Sequence, residues 1–152
     1  MLGGYKKQAK ILKHNERNKA LKKKFIIDTN IIISHLRKRD KKITEFFKQY
    51  CKQPQFISQI SYFEILTGAL GKKKFELTKK ELSNYFSIIS LDEIIIKNAY
   101  NHIKIYAENH QKVNKLTLDA LIVGTCIYLD LPLVTENIKD MILNPELKII
   151  KP

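Results

Sequence analysis

Three acidic residues stand alone in otherwise apolar stretches of this 152-residue chain: Asp28 in FIIDTNIIISHL, Glu64 in ISYFEILTGAL and Asp119 in LTLDALIVGTCIYL. A carboxylate withdrawn from water is unfavourable unless it is neutralised or paired. All three are satisfied if they converge and share a divalent cation. Mg²⁺ and Mn²⁺ take oxygen ligands, and such an ion removes the mutual repulsion of the carboxylates. The pattern therefore predicts a metal site.

Each acid also has a simpler interpretation. Asp28 can cap the helix that follows it, Asp119 can favour the positive N-terminal end of its helix, and Glu64 can lie on an exposed helix edge. Taken singly, these interpretations are favoured, since caps and exposed acids outnumber metal ligands. Taken together, the three acids favour the metal site. Glu64 discriminates best, because neither capping nor the helix dipole explains an acid between Phe63 and Ile65.

Short apolar strands alternate with amphipathic helices along the chain. Strands are predicted at 24–28, 55–58, 87–91, 133–135 and 146–150, and helices at 29–37, 42–52, 61–70, 78–86, 92–110 and 118–129, with a short helix near Asn137. The helix at 78–86 is placed by the capping-box pattern of Thr78 and Glu81. This alternation predicts an α/β fold with a mostly parallel sheet covered on both faces. Such sheets bind ligands at the carboxyl ends of their strands.

Positive charge is concentrated at the N-terminus. The formal net charge is +13, and residues 1–24 hold nine lysines or arginines against one acid, Glu16. Such a charge attracts polyanions, of which nucleic acid is the usual one. We expect a basic arm at 1–23 and a nuclease-like domain at 24–152, and the arm is either a solvated tail or an RNA contact. The apolar runs are too short for a membrane span, so a cytoplasmic protein is expected.

The patterns FIIDTNIII, ISQISYFEILTGAL and LTLDALIVGTCIYLDLPLVTENIKDM occur in this order within residues 24–150. Together they resemble the PIN-domain ribonucleases, especially the VapC toxins of toxin–antitoxin pairs. The resemblance implies a three-layer α/β/α sandwich and a Mg²⁺- or Mn²⁺-dependent endoribonuclease whose acidic cluster is Asp28, Glu64 and Asp119. It also implies an RNA substrate (tRNA, rRNA or mRNA), a cognate antitoxin, and a homodimer, for which the helix pair around residues 30–50 is the expected surface.

Further site residues follow from the same resemblance. Asn30 and Thr135 match family positions and would orient the water or phosphate by hydrogen bonds. Many PIN domains have a fourth acid where this chain has Asn137, a neutral oxygen ligand. Asn137 is therefore the fourth expected metal ligand, and Glu136 or Asp140 is the alternative replacement for the missing acid.

The reaction that these residues favour is metal-assisted hydrolysis of a phosphodiester bond, with a metal-bound water as the nucleophile. Two other classes remain open. An aspartyl-nucleophile metal phosphatase normally has a second acid two residues after the first, where this chain has Asn30. A non-catalytic nucleic-acid-binding protein would explain the net charge but not the three isolated acids.

Overall fold

The structure is a computed structural model that describes residues 8–21, 24–37, 40–109 and 117–152. The strands are β1 (Lys10–Ile11), β2 (Ile26–Ile27), β3 (Gln55–Ser58), β4 (Phe86–Ile89), β5 (Leu133–Val134) and β6 (Lys148–Ile150). The helices are α1 (His14–Leu21), α2 (Thr29–Leu36), α3 (Lys41–Tyr50), α4 (Gln59–Thr67), α5 (Lys72–Tyr85), α6 (Glu93–Ala107), α7 (Thr117–Leu129) and α8 (Ile138–Met141). Among these helices, none is both long enough and apolar enough to cross a membrane.

The six strands form one parallel sheet in the order β1-β6-β5-β2-β3-β4. The short strand β2 is central, and Ile26 is in register with Phe56 of β3 and Leu133 of β5. Beyond the end of β2, the Asp28 N–H donates to the Val134 carbonyl at 3.0 Å. The carboxyl ends of β5, β2 and β3 are therefore neighbours, as expected for a ligand-binding edge.

Alternate residues of the sheet pack into two separate cores. Ile27 and Val134 belong to the core beneath α1–α5, whereas Ile26 and Leu133 belong to the core beneath α7 and α8. Successive side chains of a strand point to opposite faces, so each short strand contributes to both cores. The predicted α/β/α sandwich is confirmed.

The tight contact between α6 and α7 depends on Gly124. A Cβ atom at this position would lie 2.5 Å from the Ile95 carbonyl oxygen and 2.9 Å from the Ala99 nitrogen. Only glycine allows the two backbones to approach this closely. Because α7 also packs on α4, this contact helps to fix the helix that carries Asp119.

The helix predicted at 78–86 begins earlier than expected, so the capping-box prediction was wrong. Helix α5 starts at Lys72 and follows Gly71, whose φ of 98° lies in the left-handed region that glycine tolerates. Thr78 is therefore an interior residue of α5. The long helix α6 ends at Ala107 with Glu108 as its C-cap, slightly before its predicted end at about His110, which lies outside the described residues.

Part of the basic N-terminal segment belongs to the folded domain. Strand β1 pairs in parallel with β6, and α1 contributes Leu21, which is 3% exposed, to the core beneath α1–α5. Lys10 forms an ion pair with Glu16 at 2.6 Å. Residues 1–7 and 22–23 of the predicted arm lie outside the described residues.

Candidate active site

Polar residues occupy the carboxyl ends of three adjacent strands. Asp28 follows β2, Ser58 ends β3, and Thr135 follows β5. All three are buried, and Asp28 is only 3% exposed. A charged group in such a position needs partners or a counter-ion.

The first partner of Asp28 is Thr135. The Thr135 hydroxyl donates to Asp28 Oδ2 at 2.7 Å, and it accepts the Asn137 N–H at 2.9 Å. A hydroxyl has one proton, so these two bonds fix its direction. Thr135 was expected to orient a water or phosphate, but in this structure its proton is directed at Asp28. The Asn137 contact is made by the backbone.

Asp28 occupies the N-cap position of α2, yet its side chain caps no N–H of that helix beyond its first residue, Thr29. The capping interpretation therefore does not account for it. Burial raises the pKa of the Asp28 carboxyl above its ordinary value, and the negative charge of Glu64 raises it further. The hydrogen bonds from Thr135 and from the Thr29 backbone act in the opposite direction. Asp28 is thus a buried acid within electrostatic reach of a second acid.

Glu64 is that second acid, and it reaches the site from α4. Its side chain is half-buried, and its Oε2 accepts the Thr29 hydroxyl at 2.6 Å. An exposed helix edge, the simpler interpretation of Glu64, therefore does not explain its contact with Thr29. A cleft of about 210 Å³ lies beside it, and its lining includes the cations Arg37 and Lys74 and the acid Glu81.

Asp119 lies in the first turn of α7 and is half-buried. This position suits the positive end of the helix dipole, as the simpler interpretation expected. Within the described ranges, no three His, Cys, Asp or Glu side chains are grouped closely enough to hold a metal ion together. Asp28 and Glu64 are close enough to interact electrostatically, and the role of Asp119 in the site stays a prediction.

The remaining predicted site residues follow Asp28 and Thr135 closely in the sequence. Asn30 is exposed in the first turn of α2, Asn137 is half-buried before α8, and Glu136 is exposed. The side chain of Asp140 lies outside the described residues.

Comparison with known proteins identifies the family. Residues 25–140 match the family described as PIN domain. The chain belongs to the PIN domain family. This is a family of nucleases whose members generally use divalent metal ions. The match begins at residue 25, so β1 and α1 lie outside the matched part of this PIN domain.

Solved structures, one of them a toxin–antitoxin complex, are similar to this PIN domain. A toxin–antitoxin complex from Klebsiella pneumoniae is 26% identical, covering 84% of this chain and 97% of that chain, with a TM-score of 0.66. VapBC2 from Rickettsia felis, bound to a promoter DNA fragment, is 21% identical, covering 86% and 100%, with a TM-score of 0.67. FitAcB from Neisseria gonorrhoeae is 22% identical, covering 84% and 97%, with a TM-score of 0.66. No curated protein matches. The predicted resemblance is confirmed.

Two site residues of this PIN domain, Ser58 and Ser61, were not predicted from the sequence. Both are completely buried, and the Ser61 hydroxyl lies 2.9 Å from that of Thr29. The sequence did contain a signal, because Ser58, Ser61 and Glu64 follow one another at intervals of three residues.

Cys126 also lies near the site: burial, and then the charge of Asp28, raise the pKa of its thiol. This keeps Cys126 a neutral packing residue.

The donor atoms at the centre of this PIN domain suit a hard divalent cation. Asp28 and Glu64 both offer carboxylate oxygens, which Mg²⁺ and Mn²⁺ prefer. The charge of Glu64 also raises the pKa of Asp28, and a bound cation would relieve that repulsion. The residues present therefore fit the metal that the family generally uses.

Proposed function

We propose that this PIN domain is a divalent-metal-dependent endoribonuclease that hydrolyses RNA phosphodiester bonds, and that it is the toxin of a type II toxin–antitoxin pair. The observation that carries the proposal is the buried carboxylate of Asp28, placed at the carboxyl edge of the sheet within electrostatic reach of Glu64. Two like charges at a ligand-binding edge repel a phosphate unless a cation lies between them.

Asp28 and Glu64, with Asp119 and Asn137, are the residues proposed to hold Mg²⁺ or Mn²⁺. When bound, such an ion polarises the phosphate and lowers the pKa of a bound water. The neighbouring side chains orient the groups that would bind the metal and the substrate. Thr135 holds the Asp28 carboxylate, Thr29 holds that of Glu64, and Asn30, exposed nearby in α2, is available to the phosphate or water.

The rest of the chain supports an RNA substrate through its charge. The net charge of +13 favours association with a polyanion, and the excess is greatest in residues 1–24. The basic segment at 1–23 is therefore proposed to contact RNA. Whether the substrate is tRNA, rRNA or mRNA is left open by these features.

Two protein partners belong to the proposal. The similar toxin–antitoxin complex from Klebsiella pneumoniae supports a cognate antitoxin as the first. The second is another copy of this chain. The dimer surface is proposed on the helix pair around residues 30–50 or on α6, where Ile96 and Tyr100, one turn apart, are 54% and 61% exposed.

The decisive experiment is cleavage of end-labelled RNA by the purified protein with Mg²⁺ or Mn²⁺, and with EDTA. We expect cleavage only with the metal, and none by Asp28→Asn or Glu64→Gln under the same conditions. Matched DNA and p-nitrophenyl phosphate separate a ribonuclease from a general nuclease and from a phosphatase. Undiminished cleavage by Asp28→Asn, or turnover of p-nitrophenyl phosphate alone, would contradict the proposal.

A further inference from the structure

A row of three buried hydroxyls leads from the end of β3 to the Glu64 carboxylate. Ser58 Oγ lies 3.4 Å from Ser61 Oγ, Ser61 Oγ lies 2.9 Å from Thr29 Oγ1, and Thr29 Oγ1 lies 2.6 Å from Glu64 Oε2. Both serines are completely buried and Thr29 is 6% exposed. The contacts shorten toward the carboxylate, as expected for bonds that end on a charge.

The number of protons gives this row a direction. Each hydroxyl has one proton, and an ionised carboxylate can only accept. Thr29 therefore donates to Glu64, so it must accept at its contact with Ser61. Ser61 then donates to Thr29, and Ser58 is left to donate to Ser61. Only one arrangement of the three protons satisfies every contact, and in that arrangement each hydroxyl strengthens the donor that follows it.

Capping alone does not explain Ser61. The N-cap of α4 is Ser58, whose Oγ accepts the Ser61 N–H at 3.1 Å. The hydroxyl of Ser61 is a separate group that contacts Thr29, a residue 32 positions earlier in the chain. Other hydroxyls within helices of this protein bond to their own backbone, as Ser83 does with the Lys79 carbonyl and Thr125 with the Leu121 carbonyl. Ser61 instead joins α4 to the start of α2.

We propose that Ser61 is a positioning residue of the active site, which fixes the Thr29 hydroxyl so that Thr29 holds the Glu64 carboxylate facing Asp28. Ser61 itself is completely buried and touches neither RNA nor metal in this role. Its effect is transmitted through Thr29 to the oxygen that Glu64 offers. The inference rests on the proposed nuclease function, because it assigns to Glu64 a role in binding the metal.

The test combines four variants: Ser61→Ala, Thr29→Val, the double variant, and Thr29→Ser. Thr29→Val removes the hydroxyl and keeps the shape, whereas Thr29→Ser keeps the hydroxyl. Each is assayed for kcat and KM on RNA, for Mn²⁺ affinity without RNA by isothermal titration calorimetry, and for thermal unfolding. Ser83→Ala is the control, since it removes a serine hydroxyl from an exposed helix position.

Loss of an outer hydrogen-bonding partner typically costs about 10-fold to 100-fold in metal affinity or activity. We expect Ser61→Ala and Thr29→Val each to lower Mn²⁺ affinity and kcat in that range while the KM for RNA stays nearly unchanged. Thr29→Ser should recover most of the Mn²⁺ affinity and kcat that Thr29→Val loses, and Ser83→Ala should resemble the wild type. The double variant should be no worse than Thr29→Val, because residues that act through one another are not additive.

Several results would overturn the proposal. Ser61→Ala with wild-type Mn²⁺ affinity and kcat would contradict it, even if that variant is less stable to heat. Additive losses in the double variant would also contradict it. If Ser61→Ala does not fold, the comparison of Thr29→Val with Thr29→Ser decides whether a hydroxyl on Glu64 matters. A wild type that binds Mn²⁺ but cleaves no RNA contradicts the proposed function alone, because Mn²⁺ affinity still tests the positioning.

Discussion

Thr135 Oγ1 donates a 2.7 Å hydrogen bond to Asp28 Oδ2 and joins residues that are 107 positions apart in the chain. The bond links the ends of two adjacent parallel strands, β5 and β2. This hydrogen bond lowers the pKa of Asp28, whereas burial raises it. The first two predictions concern this pair.

Removing the Thr135 hydroxyl should impair the site without removing any acid. Thr135→Val keeps the shape but loses both the bond to Asp28 and the acceptor of the Asn137 N–H. We expect kcat on RNA to fall by about 10-fold to 100-fold, as for other supporting partners of a metal site. Thr135→Ser, which keeps the hydroxyl, should retain most of the activity. Equal kcat values for Thr135→Val and Thr135→Ser would show that the bond is not needed.

Asp28→Asn should stabilise the metal-free protein at neutral pH while it abolishes cleavage. Burial raises the pKa of Asp28 above that in the unfolded chain, so the folded state favours the protonated acid. The stabilising contribution of the protonated Asp28 is therefore present at acidic pH, and it is lost as the pH rises through the pKa of Asp28 in the folded protein. Each unit of pKa shift corresponds to about 1.4 kcal/mol in the free energy of unfolding.

Urea unfolding in EDTA at pH 4 to pH 8 measures this difference. The advantage of Asp28→Asn over the wild type should be largest at the alkaline end and should shrink toward the acidic end. Leu21→Ala, a core substitution with no titratable group, serves as the control, and its difference from the wild type should change little with pH. A wild type that is more stable than Asp28→Asn at pH 8 would contradict this prediction.

The sequence predicted Asp28 and Glu64 because a charge in an apolar stretch is an anomaly that needs an explanation. Their convergence followed from the fold, since a parallel sheet brings the ends of β2 and β3 together. The roles of Ser58 and Ser61 could not be predicted in the same way. A serine in a strand or helix is neutral and common, and the Ser61 hydroxyl meets Thr29 only because α4 packs against α2.

The elements at the margins were also harder to predict. β1 has only two residues, one of them a lysine, so it lacks a recognisable strand pattern, and its pairing with β6 is a long-range contact. The start of α5 depends on the positive φ of Gly71, which the sequence permits but does not require. The existence of β1 and the first residue of α5 therefore depend on tertiary contacts and backbone geometry, which local sequence patterns do not determine.

Gly124→Ala should destabilise the protein through the backbones of α6 and α7. The new Cβ would lie 2.5 Å from the Ile95 carbonyl oxygen, so the two helices must separate. Overpacking of this kind typically costs about 1–3 kcal/mol. Gly68→Ala is the matched control, because its Cβ would lie 3.4 Å from its nearest neighbour, the Ile65 carbonyl oxygen. Denaturant unfolding should show a clear loss for Gly124→Ala and little change for Gly68→Ala, and similar losses would contradict the argument.

The last prediction concerns RNA binding by the basic N-terminal segment. Lys13 and Lys19 are exposed in the described part of this segment, and neither is a proposed catalytic residue. Each phosphate contact on a single strand adds about 0.7 to the slope of the logarithm of affinity against the logarithm of salt concentration. Replacing both lysines by glutamine should therefore lower the magnitude of that slope by about 1.4 if both contact RNA.

The control for this prediction is the same change in charge elsewhere on the surface. Lys41 and Lys48 are exposed on α3, so the double glutamine variant at these positions loses two charges outside the segment. Binding to one RNA is measured from low to high KCl with Ca²⁺ in place of Mg²⁺ for both double variants and the wild type. Because the loss should be in binding that is uniform between ground and transition states, it should raise KM and leave kcat unchanged. If the Lys13 and Lys19 variant keeps the wild-type slope, or if both double variants lose equally, the segment does not make a specific contact with RNA.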